Sequence, residues 1–303
     1  MARGPPQGRQ RPQGPQRPEG PEGPEGPTLS LRSWGSLGSL RSFWPCSVKI
    51  RAAKEDLVTK KDEQALAAAV EEIRAFCASN ADPAIVKKYA KYFKEGYDGY
   101  GVSREIWESP ARKQLSDGYR ERFGLKGLLD LGDRLFESGK YEEGSFAIVS
   151  IKPLLGDFTP DTFQRIGGWL ETGVRNWAHT DVICGELLSP SLKSGAWSHR
   201  ELEAWRQSDS RWRRRAVPVS LLGLISIAPT SDLLEFIRPL MLDSERVVHQ
   251  GLGWFLRELW KKDRAPVEAF LLEWKDTAPR LIFQYATEKM TPDQKARFRK
   301  SRA

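Results

Sequence analysis

A recurring pair of helical segments is the feature that most constrains the fold of this chain. Apolar residues at helical spacing return at intervals of roughly 32 to 35 residues, and each such segment follows another of similar length. Glycine and proline separate the segments, and no alternating strand of useful length lies between them. Because one helix pair cannot bury its apolar face alone, its neighbours must complete the core. The sequence therefore predicts an all-α, HEAT-like solenoid of antiparallel helix pairs, with segments that begin at Ser145, Trp177, Arg211, Arg246 and Pro279.

The composition divides the chain into residues 1–52 and residues 53–303. The first half of residues 1–52 is dominated by proline and glycine, and the second half is rich in serine, leucine and arginine without an acid. Such a segment cannot bury enough apolar surface to offset its ordering entropy, so it predicts a disordered tail. An organelle transit peptide, a linker and sequence upstream of a true start near Val48 remain alternatives. The stretch QALAAAVEEIRAF then favours a helix and opens the solenoid.

The charge and the metal-ligating residues exclude several classes of protein. The net charge is +8, but residues 1–50 hold 7 Lys/Arg against 3 Asp/Glu, and the remainder is almost balanced. The three cysteines and three histidines are scattered, so we expect a reducing compartment, no metal and no cofactor. The sequence contains no run of about 18 apolar residues, so we expect no membrane span. We expect a protein that is cytoplasmic in a bacterium or nuclear in a eukaryote, with organelle targeting by the tail as an alternative.

The segment QGLGWFLRELWKK carries an aromatic residue among cations on its polar face. Trp254 shares that face with Gln250, Arg257 and Lys261, at helical spacings of 4, 3 and 7 residues. An indole beside cations suits a polyanion that carries sugars or bases, although cover by a neighbouring loop would also explain it. The opposite stripe predicts the core face of this helix and consists of Leu252, Phe255, Leu256 and Leu259.

The segment SDSRWRRRAVPVS places four arginines around Trp212, one repeat before the previous segment. Arg211 and Arg215 share a helical face, whereas Arg213 and Arg214 point elsewhere and are expected to be solvated. Because repeats stack in register, the Arg211 and Arg215 face is expected to line the same groove as Trp254.

The segment NWAHTD places a carboxylate inside an apolar stripe. Asp181 lies in the middle of a helical stripe formed by Val174, Trp177, Cys184 and Leu188. A carboxylate there is costly unless it is satisfied. It either accepts hydrogen bonds from a helix end or an arginine, or it faces a cationic reactant with Trp177 as one wall. His179 is offset from Asp181, so no His–Asp couple is expected.

In these segments the chain resembles the AlkD-like family of DNA alkylation repair glycosylases, which are built from HEAT-like helical repeats. The resemblance spans roughly residues 60 to 290 and rests on YAKYFKEGYDGYGV, NWAHTD, SDSRWRRRA and GLGWFLRE. It implies that Asp181 is the catalytic carboxylate and that Trp177 and Trp254 lie beside the deoxyribose of the lesion. It also implies phosphate contacts for Arg215 and Arg257 and an aromatic role near the lesion for Tyr92. Arg211 and Lys261 complete the expected DNA-binding set.

The resemblance implies a monomer that hydrolyses the N-glycosidic bond of N3- or N7-alkylated purines in duplex DNA. An alkylated purine is cationic and leaves readily, so one carboxylate that stabilises the developing sugar cation would suffice. The alternative is a non-catalytic HEAT-type module that binds DNA or protein. That alternative predicts a buried, hydrogen-bonded Asp181, with Trp177 and Trp254 on different surfaces.

Overall fold

The computed structural model describes residues 60–301 of the 303-residue chain, all of them within the compact unit Ser47–Ala303. The predicted tail, residues 1–52, lies outside the described residues. Within the described part every regular element is helical, which confirms the predicted all-α fold. The first helix, α1, covers the predicted QALAAAVEEIRAF segment.

Fourteen α-helices account for most of the described chain. Shorter 3-10 segments lie at Lys152–Asp157, His199–Leu202, Ala204–Gln207, Leu221–Leu224 and Arg238–Leu242, and π-helical turns lie at Trp169–Gly173 and Cys184–Leu188. The α-helices are α1 (Lys60–Ser79), α2 (Pro83–Ala90), α3 (Arg104–Trp107), α4 (Pro110–Glu137), α5 (Tyr141–Ile151), α6 (Pro160–Gly168), α7 (Trp177–Ile183), α8 (Ser189–Ser194), α9 (Arg211–Ser220), α10 (Thr230–Ile237), α11 (Arg246–Lys262), α12 (Arg264–Trp274), α13 (Arg280–Ala286) and α14 (Pro292–Ala296).

Helices α5, α7, α9, α11 and α13 lie side by side in one row, hereafter the site row. Three of them begin at the residues that the sequence predicted, namely Trp177, Arg211 and Arg246. Side-chain bonds between neighbours join residues 31 to 35 positions apart, from Ser145–His179 to Arg257–Glu288. Each helix therefore repeats the position of the one before it, and all of them run in the same direction. This is the register expected of a helical-repeat solenoid.

Short polar caps set where the site-row helices begin. The Asn176 side chain accepts a hydrogen bond from the backbone N–H of His179 at 2.8 Å, and Ser210 caps α9 in the same way. Such caps are worth about 1 kcal/mol each because they satisfy backbone N–H groups that the helix leaves unpaired. The cap at Asn176 makes Trp177 the first residue of α7 and places Asp181 one turn later.

One continuous apolar core supports the site row. The predicted core stripe of α11 is confirmed, because Leu252, Phe255, Leu256 and Leu259 are all fully buried. Burying a leucine or phenylalanine side chain contributes about 1.5–3 kcal/mol, so this stripe anchors α11 firmly. Several tryptophans also belong to the core rather than to a binding face: Trp169, Trp197, Trp205, Trp212 and Trp260. None of the helices among residues 60–301 combines the length and apolar content needed to cross a bilayer.

Candidate functional site

The carboxylate of Asp181 forms a bidentate ion pair with Arg215 of the next site-row helix. Arg215 Nε donates to Asp181 Oδ1 at 2.9 Å, and Arg215 Nη2 donates to Oδ2 at 2.8 Å. The same guanidinium donates through Nη1 to the carbonyl of Val247 at 2.6 Å. Arg215 therefore ties together α7, α9 and α11. The sequence left open how Asp181 is satisfied, and the structure supplies an arginine.

The two partners of this ion pair differ in exposure. The side chain of Asp181 keeps 17% of its surface exposed, whereas that of Arg215 keeps only 6%. Arg215 packs against Gly251, where an added Cβ would lie 3.3 Å from Arg215 Cγ. Among the described residues only Arg215 donates to the carboxylate, and two hydrogen bonds leave further lone pairs on both oxygens. The guanidinium thus lies behind the carboxylate, whose outer edge faces solvent.

Burial and charge pairing oppose each other at this pair. Burial raises the pKa of Asp181 above its ordinary value, and the Arg215 guanidinium offsets part of that shift. For Arg215, burial acts to lower the pKa, but the Asp181 charge and hydrogen bonds outweigh it, and the net shift is upward. Arg215 therefore stays charged, and it holds Asp181 in one orientation.

This geometry corrects the expectation that Arg215 contacts a DNA phosphate. The residue is buried, and its donors are directed at Asp181 and the Val247 carbonyl. Helical spacing alone could not reveal this, because it gives the face of a residue and not its partner on another helix. Arg211 does lie on the exposed side, 3.6 Å from Glu245.

Arg213 and Arg214 point away from Asp181, as expected, but they are not simply solvated. Arg213 donates to the Gly167 carbonyl at 2.8 Å and pairs with Glu171. Arg214 pairs with the buried carboxylate of Asp243 at 2.6 Å. Both arginines therefore hold neighbouring segments together.

The polar face of α11 carries the expected residues in new partnerships. Trp254 is half-buried and packs on the core, and Gln250 Nε2 donates to the Tyr285 hydroxyl at 2.8 Å. Arg257 pairs with Glu258 at 2.9 Å and also with Glu288. Protein carboxylates therefore already neutralise much of the positive charge of this face.

Lys261 belongs to the same arrangement, since it pairs with Glu258 at 2.7 Å. About half of its side chain remains exposed.

Tyr285, on the neighbouring helix α13, was not singled out from the sequence, because nothing in its own segment marks it as polar-facing.

Trp177 is fixed at two points. Its indole stacks on Phe93 with ring centroids 5.4 Å apart and an interplanar angle of 17°. Its Nε1 donates to the backbone carbonyl of Tyr92 at 3.2 Å. Tyr92 itself is 39% exposed, and Lys91 Nζ lies 4.9 Å from its ring centroid. The loop after α2 therefore supports Trp177 and presents Tyr92 beside it.

His179 forms no couple with Asp181, as the sequence predicted. Its Nε2 donates to the Tyr141 carbonyl at 2.8 Å, and its ring stacks on that of Tyr141 at 4.7 Å. Burial lowers the pKa of His179 to about 4, so the imidazole is neutral at physiological pH. His179 is a packing residue behind the site row.

The two tryptophans lie on different helices of the site row, one before and one after the level of Asp181 along the helix axes. Trp177 lies one turn before Asp181 on α7. On α11, Gly251 lies at the level of Arg215, and Trp254 follows about one turn later. The two indoles are thus two site-row helices apart. Along the helix axes, Trp177 lies one turn before Asp181 and Trp254 about one turn after it. No group of three or more His, Cys, Asp or Glu side chains among residues 60–301 is arranged to hold a metal ion.

A second basic region lies at the end of α2, hereafter the α2 lysine strip. It consists of Lys87, Lys88, Lys91 and Lys94, all exposed. None of them forms an ion pair with another residue of the described chain. The strip adjoins Tyr92, whose carbonyl accepts from Trp177. Positive charge that no ion pair within residues 60–301 neutralises therefore lies beside Tyr92, close to Trp177.

Comparison with known proteins agrees with this architecture. The family model described as DNA alkylation repair enzyme matches residues 73–290. Among solved structures, a predicted DNA alkylation repair enzyme from Enterococcus faecalis superposes with a TM-score of 0.59. Its sequence is 16% identical, and the alignment covers 70% of this chain and 98% of that one. A search of curated proteins gave no match.

Proposed function

The chain belongs to the DNA alkylation repair enzyme family, and we propose that it hydrolyses the N-glycosidic bond of alkylated purines in duplex DNA. One observation carries this proposal. Asp181 turns an unshared carboxylate edge toward solvent one helical turn from Trp177, while Arg215 holds it from behind. No other group among the described residues donates to that edge, so a reactant can approach it.

Hydrolysis of an alkylated purine needs little more than the open carboxylate edge of Asp181. A purine alkylated at N3 or N7 carries a positive charge, so the bond from C1′ to the base breaks with its electron pair leaving on the base, which departs neutral. Positive charge then develops on C1′ and the ring oxygen of the deoxyribose. The ionised Asp181 stabilises that charge and accepts a hydrogen bond from the attacking water. Water adds its oxygen to C1′ and releases one proton, which leaves an abasic site.

Arg215 contributes by preorganisation. Its two parallel N–H groups fix the plane of the Asp181 carboxylate, so no reorientation is needed when charge develops on the sugar. Trp177 contributes a π face that its stacking on Phe93 keeps in place. Trp254, on α11, is proposed as the second aromatic contact.

The α2 lysine strip supplies the proposed grip on the DNA backbone, together with Tyr92 and the exposed parts of Arg211, Arg257 and Lys261. Phosphate contacts give affinity without sequence information, and lysines without an ion-pair partner among residues 60–301 break no ion pair of that part of the chain when they bind. This assignment replaces Arg215 as the leading phosphate contact.

A non-catalytic helical-repeat module remains the second candidate, because it also predicts a hydrogen-bonded Asp181 in a largely buried position. The two candidates differ in the outer edge of the carboxylate. A module that only binds DNA has no use for it, whereas a glycosylase requires it.

The test is release of 7-methylguanine and 3-methyladenine from methylated duplex DNA by the purified full-length protein. The freed bases are separated by chromatography at several enzyme concentrations. We expect release in proportion to enzyme for the wild type and none above background for Asp181→Asn. Duplex binding without release by the wild type would favour the non-catalytic module.

A further inference from the structure

A second buried carboxylate lies behind the site, at the start of α5. Glu142 is 4% exposed, and none of the ion pairs in the described chain involves it. Its Oε2 accepts from the backbone N–H of Tyr100 at 2.8 Å. Its Oε1 accepts from the N–H groups of Gly101 and Val102 at 2.8 and 3.1 Å. Burying a carboxylate is costly unless hydrogen bonds compensate it, and here all three come from one turn.

What Glu142 defines is the 99–102 turn. Gly101 has a φ of 80°, and a Cβ there would lie 2.2 Å from the Asp82 carbonyl oxygen, so the turn is packed without spare room. A Cβ on Gly99 would lie 2.9 Å from Glu142 Oε2. The carboxylate therefore fills the concave side of the turn.

The turn is connected to Trp177 by aromatic contacts. Tyr97, just before the turn, stacks on Phe93 at 4.9 Å, and Phe93 stacks on Trp177 at 5.4 Å. Tyr97 also contacts Tyr141 at 5.4 Å, and Tyr141 stacks on His179, which belongs to the same helix as Trp177. The contacts close into a ring that begins and ends on α7. Packed aromatic rings therefore connect the turn with the indole along two routes.

We propose that Glu142 is a positioning residue for Trp177: by holding the 99–102 turn it fixes Phe93 and Tyr92, and so the indole beside Asp181. The consequence of Glu142 for the reaction rests on the proposed glycosylase function, whereas its effect on the indole does not.

Glu142→Gln is the primary variant. Glutamine keeps the size of the side chain but has one acceptor oxygen, so its NH2 group must face at least one backbone N–H of the turn. Glu143→Gln is the matched control. Glu143 is equally buried on the same turn of α5, but it accepts from the side chains of Arg74 and Tyr100 and from no backbone N–H of the turn.

Single-turnover base release and duplex affinity are measured on all variants, with the melting temperature as a check of folding. We expect Glu142→Gln to slow release about tenfold, since small misplacements of a positioned group cost rate. Duplex affinity should change less than twofold. Glu143→Gln should lower the melting temperature and leave the rate within twofold of wild type. Equal slowing by the two variants would reduce Glu142 to a structural residue.

Fluorine NMR of protein labelled with 5-fluorotryptophan reports on the indole whether or not the protein is active. The Trp177 resonance is identified by its loss in Trp177→Phe. We expect it to shift or broaden in Glu142→Gln and to remain in place in Glu143→Gln. An unchanged Trp177 resonance in Glu142→Gln overturns the inference, whereas a wild type without base release overturns only the proposed function.

Gly99→Ala covers the case in which Glu142→Gln does not fold. The added methyl group would press on Glu142 Oε2 and the Tyr97 ring while keeping the carboxylate. It should slow release and move the Trp177 resonance in the same direction. A variant that folds with an unchanged resonance and rate contradicts the proposal.

Discussion

Two neighbouring arginines of α9 form two aspartate pairs with opposite properties. Arg214 binds Asp243, and Arg215 binds Asp181. The side chain of Asp243 is only 5% exposed, and its Oδ1 also accepts the backbone N–H of Glu245 at 2.7 Å. The Asp181 carboxylate keeps its outer edge open. The same pair of residue types thus stabilises the fold in one place and, in our account, prepares a reactive edge in the other.

An edge open to solvent, rather than the ion pair, distinguishes Asp181 as the candidate catalytic carboxylate. Asp243 is buried and accepts three hydrogen bonds from the protein, so it cannot approach a sugar cation without losing them. A buried aspartate with an unused edge can.

The largest expected effect comes from removing the two carboxylates separately. Asp181→Asn should lower single-turnover base release about 100- to 1000-fold, the usual effect of losing one electrostatic contact to a transition state. Duplex affinity should remain within about threefold, because Asn is close in size. Asp243→Asn should reduce the melting temperature and leave the release rate within about threefold of wild type. Release by Asp181→Asn at a rate near that of wild type would remove Asp181 from the chemistry.

A smaller effect is expected from the arginines. Arg215→Lys replaces a planar fork with a single ammonium that cannot hold both carboxylate oxygens and the Val247 carbonyl together. We expect release to slow about tenfold and the free energy of unfolding to fall by about 1–3 kcal/mol. Arg214→Lys is the control. We expect it to lose a similar amount of stability, measured by denaturant titration, and to release the base at an unchanged rate. Slowing by both substitutions in proportion to stability would show that neither pair acts on the chemistry.

The pH dependence of base release should also distinguish Asp181 from Asp243, with a several-fold effect on the rate. Only ionised Asp181 stabilises the sugar cation, and burial raises the pKa of its carboxyl group. Protonation therefore begins at a higher pH than for an ordinary aspartate, so release should fall as the pH is lowered, with a midpoint above the usual aspartate range. The alkylated base stays cationic throughout the acidic range, so the substrate adds no such limb there. Asp243→Asn should keep the midpoint of wild type. A rate independent of pH down to the ordinary aspartate range would contradict this assignment.

The smallest effects concern the two basic regions. Lys91→Ala should weaken duplex binding a few-fold, equally for damaged and undamaged DNA, and reduce the salt dependence by about one counterion. Arg257→Ala should have less effect, because Glu258 and Glu288 already neutralise Arg257. Binding titrations at several salt concentrations compare the two variants. If Arg257→Ala has the larger effect, the DNA backbone lies along α11 instead of along α2.

Sequence patterns predicted the repeat but not the partners within the site. The period follows from apolar spacing, so the starts of α7, α9 and α11 were predictable to the residue. The Asp181–Arg215 pair joins two helices 34 residues apart, and helical spacing within one segment carries no information on such contacts. The family resemblance implied a phosphate contact for Arg215, and helical spacing gave no sign of its partner on another helix. Glu142 escaped notice because its partners are backbone N–H groups of a distant turn.

If the open edge of Asp181 stabilises a cation on the deoxyribose, the protein should discriminate between a charged and a neutral sugar analogue. Two duplexes are compared, one carrying a pyrrolidine cation in place of a nucleoside sugar and the other a neutral tetrahydrofuran at the same position. The ratio of their dissociation constants is measured for wild type, Asp181→Asn and Asp243→Asn. We expect wild type and Asp243→Asn to bind the cationic duplex more tightly by a similar factor, and Asp181→Asn to lose most of that preference. A preference that survives in Asp181→Asn, or that is absent from the wild type, would contradict the account.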